Sequence, residues 1–129
     1  HLSFAIANAL MKEGVGVIYM GYRESIMKIK QNVMNMDEYE KIMSRYKKCK
    51  VLLIDDLFKG NITLSDINIM FEIVNYRYFN NLPMIMSTEK GGKELIEIDE
   101  AIGSRILEMA KDYNMELKGG KLNYRIYGK

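Results

Sequence analysis

Two adjacent carboxylates, Asp55 and Asp56, directly follow the continuous apolar run Val51-Leu52-Leu53-Ile54. Such a run is typical of a strand that is buried on both faces of a parallel sheet. Ligands bind at the carboxyl ends of these strands, where one acid can hold Mg²⁺ and a second can polarise water. The alternative is a strand that simply enters a turn at two polar residues.

A second group of polar residues is expected at the same edge of the sheet. Pro83 opens the apolar run 84–86, and Ser87, Thr88 and Glu89 follow it. Because the carboxyl ends of parallel strands lie at one edge, these side chains should lie near the two acids.

The remaining periodicity predicts helices that alternate with short apolar strands. This alternation indicates an α/β domain with a mainly parallel sheet flanked by helices. The expected elements are helices over 2–11, 25–34, 37–47, 65–80, 94–98 and 100–110, a strand over 17–20, and a terminal hairpin of 113–117 and 122–127 around Gly119-Gly120. Asp37 is predicted as one N-cap, and the helix over 65–80 should begin at Ser65 or Asp66.

Composition limits the classes of protein that this chain can represent. Its 129 residues, with 48% hydrophobic and 28% charged, indicate one globular domain. No apolar run approaches the roughly 20 residues of a membrane span, so no membrane partner is expected. The single cysteine excludes an internal disulfide, which favours a reducing cytoplasmic setting. A net charge of only +2 is weak evidence for nucleic-acid binding.

Six segments are informative in their order and spacing: HLSFAIAN (1–8), VLLIDDLFKG (51–60), FEIVNYRYFNNLP (71–83), STEK (87–90), DEAIGSRILEM (99–109) and NYR (123–125). Together they resemble the AAA+ core of the DnaC/DnaI type of replicative helicase loader, particularly the versions in Bacillota phages and prophages. The resemblance covers nearly the whole chain. It implies an AAA+ P-loop NTPase-like fold, ATP and Mg²⁺ as cofactors, a homo-oligomer, and single-stranded DNA and a replicative helicase as partners.

The resemblance also implies roles for the acids and for one arginine. Asp55 would hold Mg²⁺ and Asp56 would orient the attacking water, although the family normally has Glu at that second position. Arg105 matches the arginine finger, which reaches the γ-phosphate held by a neighbouring subunit and stabilises transition-state charge. The apolar spacing of its helix predicts an outward guanidinium. The alternative is a surface arginine paired with Glu100 or Glu108.

Other nucleotide contacts implied by the resemblance lie near the end of the sheet. The family often has Thr-Ser-Asn at its sensor-1 position, where this chain has Ser87-Thr88-Glu89. Thr88 or Glu89 would therefore contact the water or the γ-phosphate, and a helix or turn cap is the alternative. Arg125, in the NYR segment, would sense the nucleotide in its own subunit, and a solvated hairpin residue is the alternative.

In loaders, the helices that correspond to 23–50 lie where single-stranded DNA passes through the oligomer. Lysines would neutralise phosphates there, and tyrosines could stack on bases. The candidates are Lys28, Lys30, Lys47, Lys48 and, just after the paired acids, Lys59. The alternative is that these lysines belong to the solvated faces of amphipathic helices.

The phosphate-binding pattern G-x-x-x-x-G-K-[ST] does not occur in the 129 residues. In the family, the helix beginning at His1-Leu2 directly follows that loop, and the strand before the loop is central in the sheet. A parallel sheet without this strand would expose open edges. We therefore expect the natural protein to extend upstream of His1, and residues 1–129 to be one AAA+ domain without its first strand and phosphate loop.

Three functions are consistent with this sequence. The first is an ATP-dependent loader of the replicative helicase, a primosome component. The second is an IstB-type transposition helper ATPase, which would prefer duplex DNA. The third is a binding module on a degraded nucleotide fold that does not hydrolyse ATP.

Overall fold

Three parallel strands form the centre of the fold in a computed structural model, which describes residues 2–111, 114–116 and 123–127. They are β1 (Val17–Gly21), β2 (Val51–Asp55) and β3 (Met84–Thr88). Two further strands, β4 (Asn114–Glu116) and β5 (Asn123–Tyr127), complete a sheet of order β1-β2-β3-β5-β4. The predicted α/β class with a mainly parallel sheet is confirmed.

Six helices flank the sheet within these residues. They are α1 (Leu2–Lys12), α2 (Tyr22–Gln31), α3 (Met36–Lys48), α4 (Leu64–Phe79), α5 (Gly92–Ile98) and α6 (Glu100–Met109). On one face of the sheet, Ala7 of α1 packs in a cluster with Val51, Leu53 and Ile85. Leu52 and Ile54 belong to the other core cluster, with side chains from α2 to α6. The alternation explains why all four apolar residues of β2 are buried.

The helix α2 begins and ends earlier than the sequence predicted. It starts at Tyr22, directly after β1, and ends at Gln31 instead of continuing to Met34. The side-chain amide of Asn32 donates to the Lys28 carbonyl at 2.8 Å, which satisfies an acceptor in the last turn. The spacing of Ile26, Ile29 and Val33 predicts that all three lie on one apolar face of this helix. Val33 instead lies beyond the end of α2 and is 46% exposed.

The N-cap of α3 and the first residue of α4, which is Leu64, also differ from the prediction. Asn35, not Asp37, caps α3 by accepting a hydrogen bond from the Glu38 N–H at 3.3 Å. Thr63 caps α4 in a reciprocal pair with Asp66, where each side chain accepts from the backbone N–H of the other. Asp66 is therefore the fourth residue of a capping box and not the cap itself.

Arg77 of α4 is fully buried and connects three elements of the fold. Its Nη1 and Nη2 donate only to main-chain oxygens and to one sulfur. The carbonyl acceptors are Tyr46 at 3.1 Å, Lys47 at 3.3 Å, Cys49 at 2.7 Å, Lys50 at 3.2 Å and Pro83 at 2.7 Å. These bonds join the end of α3 to the starts of β2 and β3.

The far edge of β3 pairs with β5. The two strands are antiparallel over five registered positions, from Met84 opposite Tyr127 to Thr88 opposite Asn123. Backbone pairing of β4 with β5 agrees with the predicted hairpin. Its turn at Gly119-Gly120 lies outside the described residues.

In the part of the chain that the structure describes, no helix has the length and apolar character that a membrane crossing needs.

Candidate functional site

Asp55 and Asp56 lie at the carboxyl edge of the sheet, where β1 and β2 end side by side. Gly21, the last residue of β1, is in register with Asp55, the last residue of β2. Both acids are half-buried. They line a pocket of about 280 Å³ together with Tyr19, Gly21, Tyr22, Arg23 and Glu24. The predicted position of the acids at the end of a buried strand is confirmed.

The hydroxyl of Ser87, at the end of β3, connects the two acids. It donates to Oδ1 of Asp55 at 2.8 Å and accepts a hydrogen bond from the Asp56 N–H at 2.9 Å. Ser87 is 2% exposed, so this bridge is shielded from water. The Tyr19 hydroxyl donates to the other oxygen of Asp55, Oδ2, at 3.2 Å. Because each oxygen of Asp55 accepts from a hydroxyl, the orientation of this carboxylate is fixed.

The Tyr19 side chain reaches Asp55 because Gly21, two positions later on the same side of β1, has no side chain to block it. A Cβ atom at Gly21 would lie 2.9 Å from the Tyr19 hydroxyl oxygen, which is too close for any other residue there without a shift. The Tyr19 ring stacks on Phe4 of α1 with 5.7 Å between centroids. Partial burial, and then the charge of Asp55, raises the pKa of Tyr19. The phenol therefore stays protonated and remains a donor at neutral pH.

The turn after β2 has an unusual backbone. Asp56 has φ = 59° and Phe58 has φ = 61°, both in the left-handed region that non-glycine residues seldom adopt. The turn is held by a hydrogen bond of 2.9 Å from the Leu57 N–H to the Ser87 carbonyl. Phe58 is fully buried and packs edge-on against Tyr22. Packing thus holds Asp56 in a strained conformation, as is common at functional sites.

The structure separates the two sensor candidates. Thr88 is fully buried, and its hydroxyl donates to the Leu57 carbonyl at 2.9 Å and accepts from the Lys90 N–H at 3.1 Å. These contacts match the turn-cap alternative, whereas Glu89 is exposed. Arg125 lies in β5 in register with Met86, and its side chain lies outside the described part of the structure. A nucleotide role for these three residues stays a prediction.

The donor set of the two acids suits Mg²⁺. Mg²⁺ in proteins is usually held by one or two carboxylates together with substrate phosphates. Among the described residues, no group of three or more His, Cys, Asp or Glu could hold a metal, so a site made only of protein ligands is not formed there. The ammonium of Lys59 lies 4.0 Å from Oδ2 of Asp56. These residues fit the metal side of a nucleotide site, while the 129 residues contain no G-x-x-x-x-G-K-[ST] pattern for the phosphates.

Comparison with protein families identifies the family to which the chain belongs. Residues 1–110 match the bacterial DnaA ATPase domain. The chain belongs to this AAA+ ATPase family. The matched range includes both acids, Ser87 and Arg105. Nucleotide binding is a property of the family, and the site at the carboxyl edge of the sheet is where it is expected in this member.

Two curated relatives of this ATPase domain come from Bacillus subtilis (strain 168). The phage-like element PBSX protein XkdC is 38% identical over 136 residues, which cover 99% of this chain and 50% of that protein. The uncharacterized protein YqaM is 37% identical over 134 residues, which cover 98% of this chain and 42% of that protein. The chain therefore spans half the length of these relatives or less. No solved structure matches it.

Arg105 of the ATPase domain is half-buried and lies against aromatic rings of α4, and its role as an arginine finger stays a prediction. Its guanidinium carbon lies 5.6, 5.5 and 5.7 Å from the ring centroids of Phe71, Tyr78 and Phe79. The three residues share one side of α4, which packs against α6. The alternative pairing with an acid of α6 is not formed in the described part of the chain. Glu108 instead accepts a hydrogen bond of 2.8 Å from Tyr78.

The five lysines predicted to bind DNA differ in their surroundings. Three are exposed: Lys28, Lys48 and Lys59. Lys30 forms an ion pair with the buried Asp66 and donates to the Thr63 hydroxyl at 3.2 Å. Lys47 forms an ion pair of 3.1 Å with Glu72. Phosphate binding by Lys30 or Lys47 would compete with these closer internal bonds. The exposed three are the better candidates, because among them only Lys59 has an ion pair in the described residues, a long contact of 4.0 Å with Asp56.

Sequence reasoning did not assign roles to Ser87 and Tyr19. A signal for Ser87 was available, because it is the first polar residue after the apolar run 84–86, at the edge where the acids lie. Tyr19 gave a weaker signal, since it stands within the apolar run 17–20 and reads as a core residue. Only the register of β1 with β2 shows that its hydroxyl reaches Asp55.

Proposed function

We propose that this chain is the ATPase core of a loader that places a replicative DNA helicase on single-stranded DNA. The observation that carries the proposal is the acid edge of the sheet, where Ser87 joins Asp55 to Asp56 in a member of an ATPase family. Membership of the bacterial DnaA ATPase domain family supports a role in replication. Similarity to XkdC, a protein of a phage-like element, supports a phage or prophage setting.

In this proposal, each acid has a separate task. Asp55, with both oxygens fixed by hydroxyls, keeps further lone pairs for a metal ion or its water ligands. Asp56, carried by a strained turn, orients the attacking water. Bound Mg²⁺-ATP would supply the phosphoryl group and the positive charge that polarises it. The side chain of Asp56 is one methylene shorter than the Glu usual in loaders, and its backbone N–H is fixed by Ser87.

Substitution of Asp56 tests this division in the full-length natural protein. Asp56→Asn keeps the size of the side chain and removes the charge that orients water. We expect it to retain ATP binding, measured by equilibrium titration, and to lose turnover. Unchanged turnover in Asp56→Asn would remove this residue from the mechanism.

We further propose that the protein acts as a homo-oligomer in which Arg105 completes the site of a neighbouring subunit. Arg105→Ala should keep nucleotide affinity and lower hydrolysis on the order of 10³-fold, as for other arginine fingers. The decisive test mixes Arg105→Ala subunits with Asp56→Asn subunits. Recovered activity is expected, because a mixed interface can pair an intact finger with an intact acid. No recovery, with mixing confirmed by light scattering, would falsify the trans assignment.

Helicase loading itself requires a direct assay. The full-length protein, ATP and the cognate hexameric helicase are incubated with closed circles of single-stranded DNA, and helicase retained on the circles is measured. We expect helicase retention to depend on the loader. In the proposal that hydrolysis drives loader release, Asp56→Asn should leave the loader on the circles together with the helicase. Retention that is equal with and without the loader would contradict the proposal.

The same preparations distinguish helicase loading from two other functions. A preference for duplex over single-stranded DNA would point to an IstB-type transposition helper. Failure of the full-length protein to turn over ATP would point to a binding module without hydrolysis.

A further inference from the structure

Three aromatic side chains of α4, namely Phe71, Tyr78 and Phe79, surround the Arg105 guanidinium, and we call them the aromatic platform. Their centroids all lie between 5.5 and 5.7 Å from the guanidinium carbon. Phe71 is 36% exposed and Phe79 is 65% exposed, so the platform opens to the surface of the domain. Arg105 itself is half-buried. A cation within about 6 Å of an aromatic centroid is attracted by the ring quadrupole.

The hydrogen bonds of Arg105 are incomplete. Nη1 donates to the Ala101 carbonyl in the preceding turn of α6 at 3.2 Å. Nε is buried and has no partner, and Nη2 has no partner within the described part of the chain. An unpaired buried donor disfavours a conformation, so the contacts with the platform must offset this cost. The position of the guanidinium is therefore set mainly by the rings and not by hydrogen bonding.

Contact between rings and a guanidinium is an attraction to the ring quadrupole and takes up none of its N–H donors. In Arg105, Nη1 is bonded to Ala101 and Nε is buried, so Nη2 is the donor that stays available to an anion. The ring contacts therefore remove rotamer freedom without using Nη2. An arginine held in this way loses less conformational freedom when an anion binds.

We propose that the aromatic platform is a set of positioning residues that holds the Arg105 guanidinium ready for an anion, the γ-phosphate of a nucleotide bound by a second copy of the chain. This inference rests on the proposed trans role of Arg105. It adds that Phe79, the most exposed member of the platform, is required for full hydrolysis although it touches no nucleotide. The platform acts only through Arg105.

The test uses three variants of α4 in the full-length natural protein. Phe79→Leu removes a ring from the platform, and Phe79→Tyr keeps one. Leu64→Ala, on the same helix and 72% exposed, is the control for loss of an exposed apolar side chain. We expect Phe79→Leu to lower kcat about fivefold to tenfold with unchanged nucleotide affinity. Phe79→Tyr should restore activity, and Leu64→Ala should have none of this effect.

A second measurement reports on the platform without any reaction. The NMR signal of the Arg105 Nε–H group in the full-length protein should be shifted upfield by the ring currents, and Phe79→Leu should move it toward the position of a free arginine. An unshifted signal in the unaltered full-length protein would overturn the proposal. So would full activity of Phe79→Leu in a protein that Arg105→Ala inactivates.

The outcomes distinguish failure of the proposed trans role of Arg105 from failure of the platform proposal. If Arg105→Ala retains full hydrolysis, Arg105 is not a finger, and the platform proposal falls with it. If Arg105→Ala is inactive but Leu64→Ala loses as much activity as Phe79→Leu, only the platform proposal falls.

Discussion

Ser87 and Asp55 face each other across β2 and β3, joined by a hydrogen bond of 2.8 Å from the serine hydroxyl to Oδ1. The two residues are separated by 32 positions in sequence, and the parallel pairing of their strands brings them together. The same hydroxyl accepts from the Asp56 N–H. One buried oxygen thus sets the orientation of the first acid and the backbone position of the second.

We expect Ser87→Ala to lower kcat for ATP about tenfold in the full-length protein and to change nucleotide affinity little, because both acids remain but lose their common anchor. Ser87→Thr keeps the hydroxyl in a residue that strands accept, and it should restore most of the activity. Steady-state kinetics with separate nucleotide titrations measure both quantities. An equal loss of activity in the Ala and Thr variants would argue against anchoring by the hydroxyl.

The strand framework and the acid edge could be predicted from sequence because they depend on local patterns. The run Val51–Ile54 is apolar at every position, which indicates burial on both faces, and the acids follow it directly. Positions on helices are different, because the same residue type can face solvent or the core. Arg77 and Lys30 are cations on helices of mixed composition, and their partners lie 6 to 36 residues away. Only the tertiary structure shows that both serve the fold.

Arg105 shows the same limit in the site itself. The pattern of Ile102 and Ile106 on α6 correctly predicts one buried face. It does not show that α4 places three rings beside Arg105. The direction of a long side chain therefore depends on a neighbouring helix whose packing no local pattern fixes.

Arg77 should be among the residues most important for stability. We expect Arg77→Met to lower the free energy of unfolding by at least about 3 kcal/mol, because it leaves several buried carbonyls without a donor. Arg77→Lys should also be strongly destabilising, since one ammonium cannot reach acceptors on both sides of the guanidinium. Urea unfolding followed by circular dichroism measures the change.

A matched control for Arg77 is Arg45→Met on α3, where the arginine is exposed. This variant should stay within about 0.5 kcal/mol of the unaltered chain. Similar losses in Arg45→Met and Arg77→Met would contradict a special role for the buried guanidinium.

Asp66 should make the free energy of unfolding of the domain depend on pH in the acid range. Burial acts to raise the pKa of Asp66, but hydrogen bonds from Lys30 and Thr63 outweigh it and leave the pKa below its ordinary value. A carboxyl with a depressed folded-state pKa stabilises the fold above its unfolded pKa, near 4, and loses that contribution as the pH falls through the folded value. The destabilisation caused by Asp66→Asn should therefore be larger at pH 7 than at pH 3.

Urea unfolding of both proteins at the two pH values checks this expectation. Glu97→Gln, which alters an exposed acid on α5, serves as the control for general loss of negative charge. An Asp66→Asn effect of the same size at pH 3 and pH 7 would show that the ion pair with Lys30 does not stabilise the folded state.

The exposed lysines give a prediction for DNA binding that separates phosphate contacts from solvated charge. Lys28, Lys48 and Lys59 are exposed, and replacing all three by Glu should weaken binding of single-stranded DNA and flatten the plot of log affinity against log salt by about 0.7 for each lost phosphate contact. A matched triple, Lys12, Lys93 and Lys111 to Glu, changes the net charge equally at exposed sites elsewhere. General electrostatic attraction depends on net charge, so it would respond to both triples alike. Direct contacts release bound counterions only where lysines meet phosphates, so only the first triple should change the slope. Equal slopes in the two triples would show that these lysines are solvated surface residues without direct phosphate contacts.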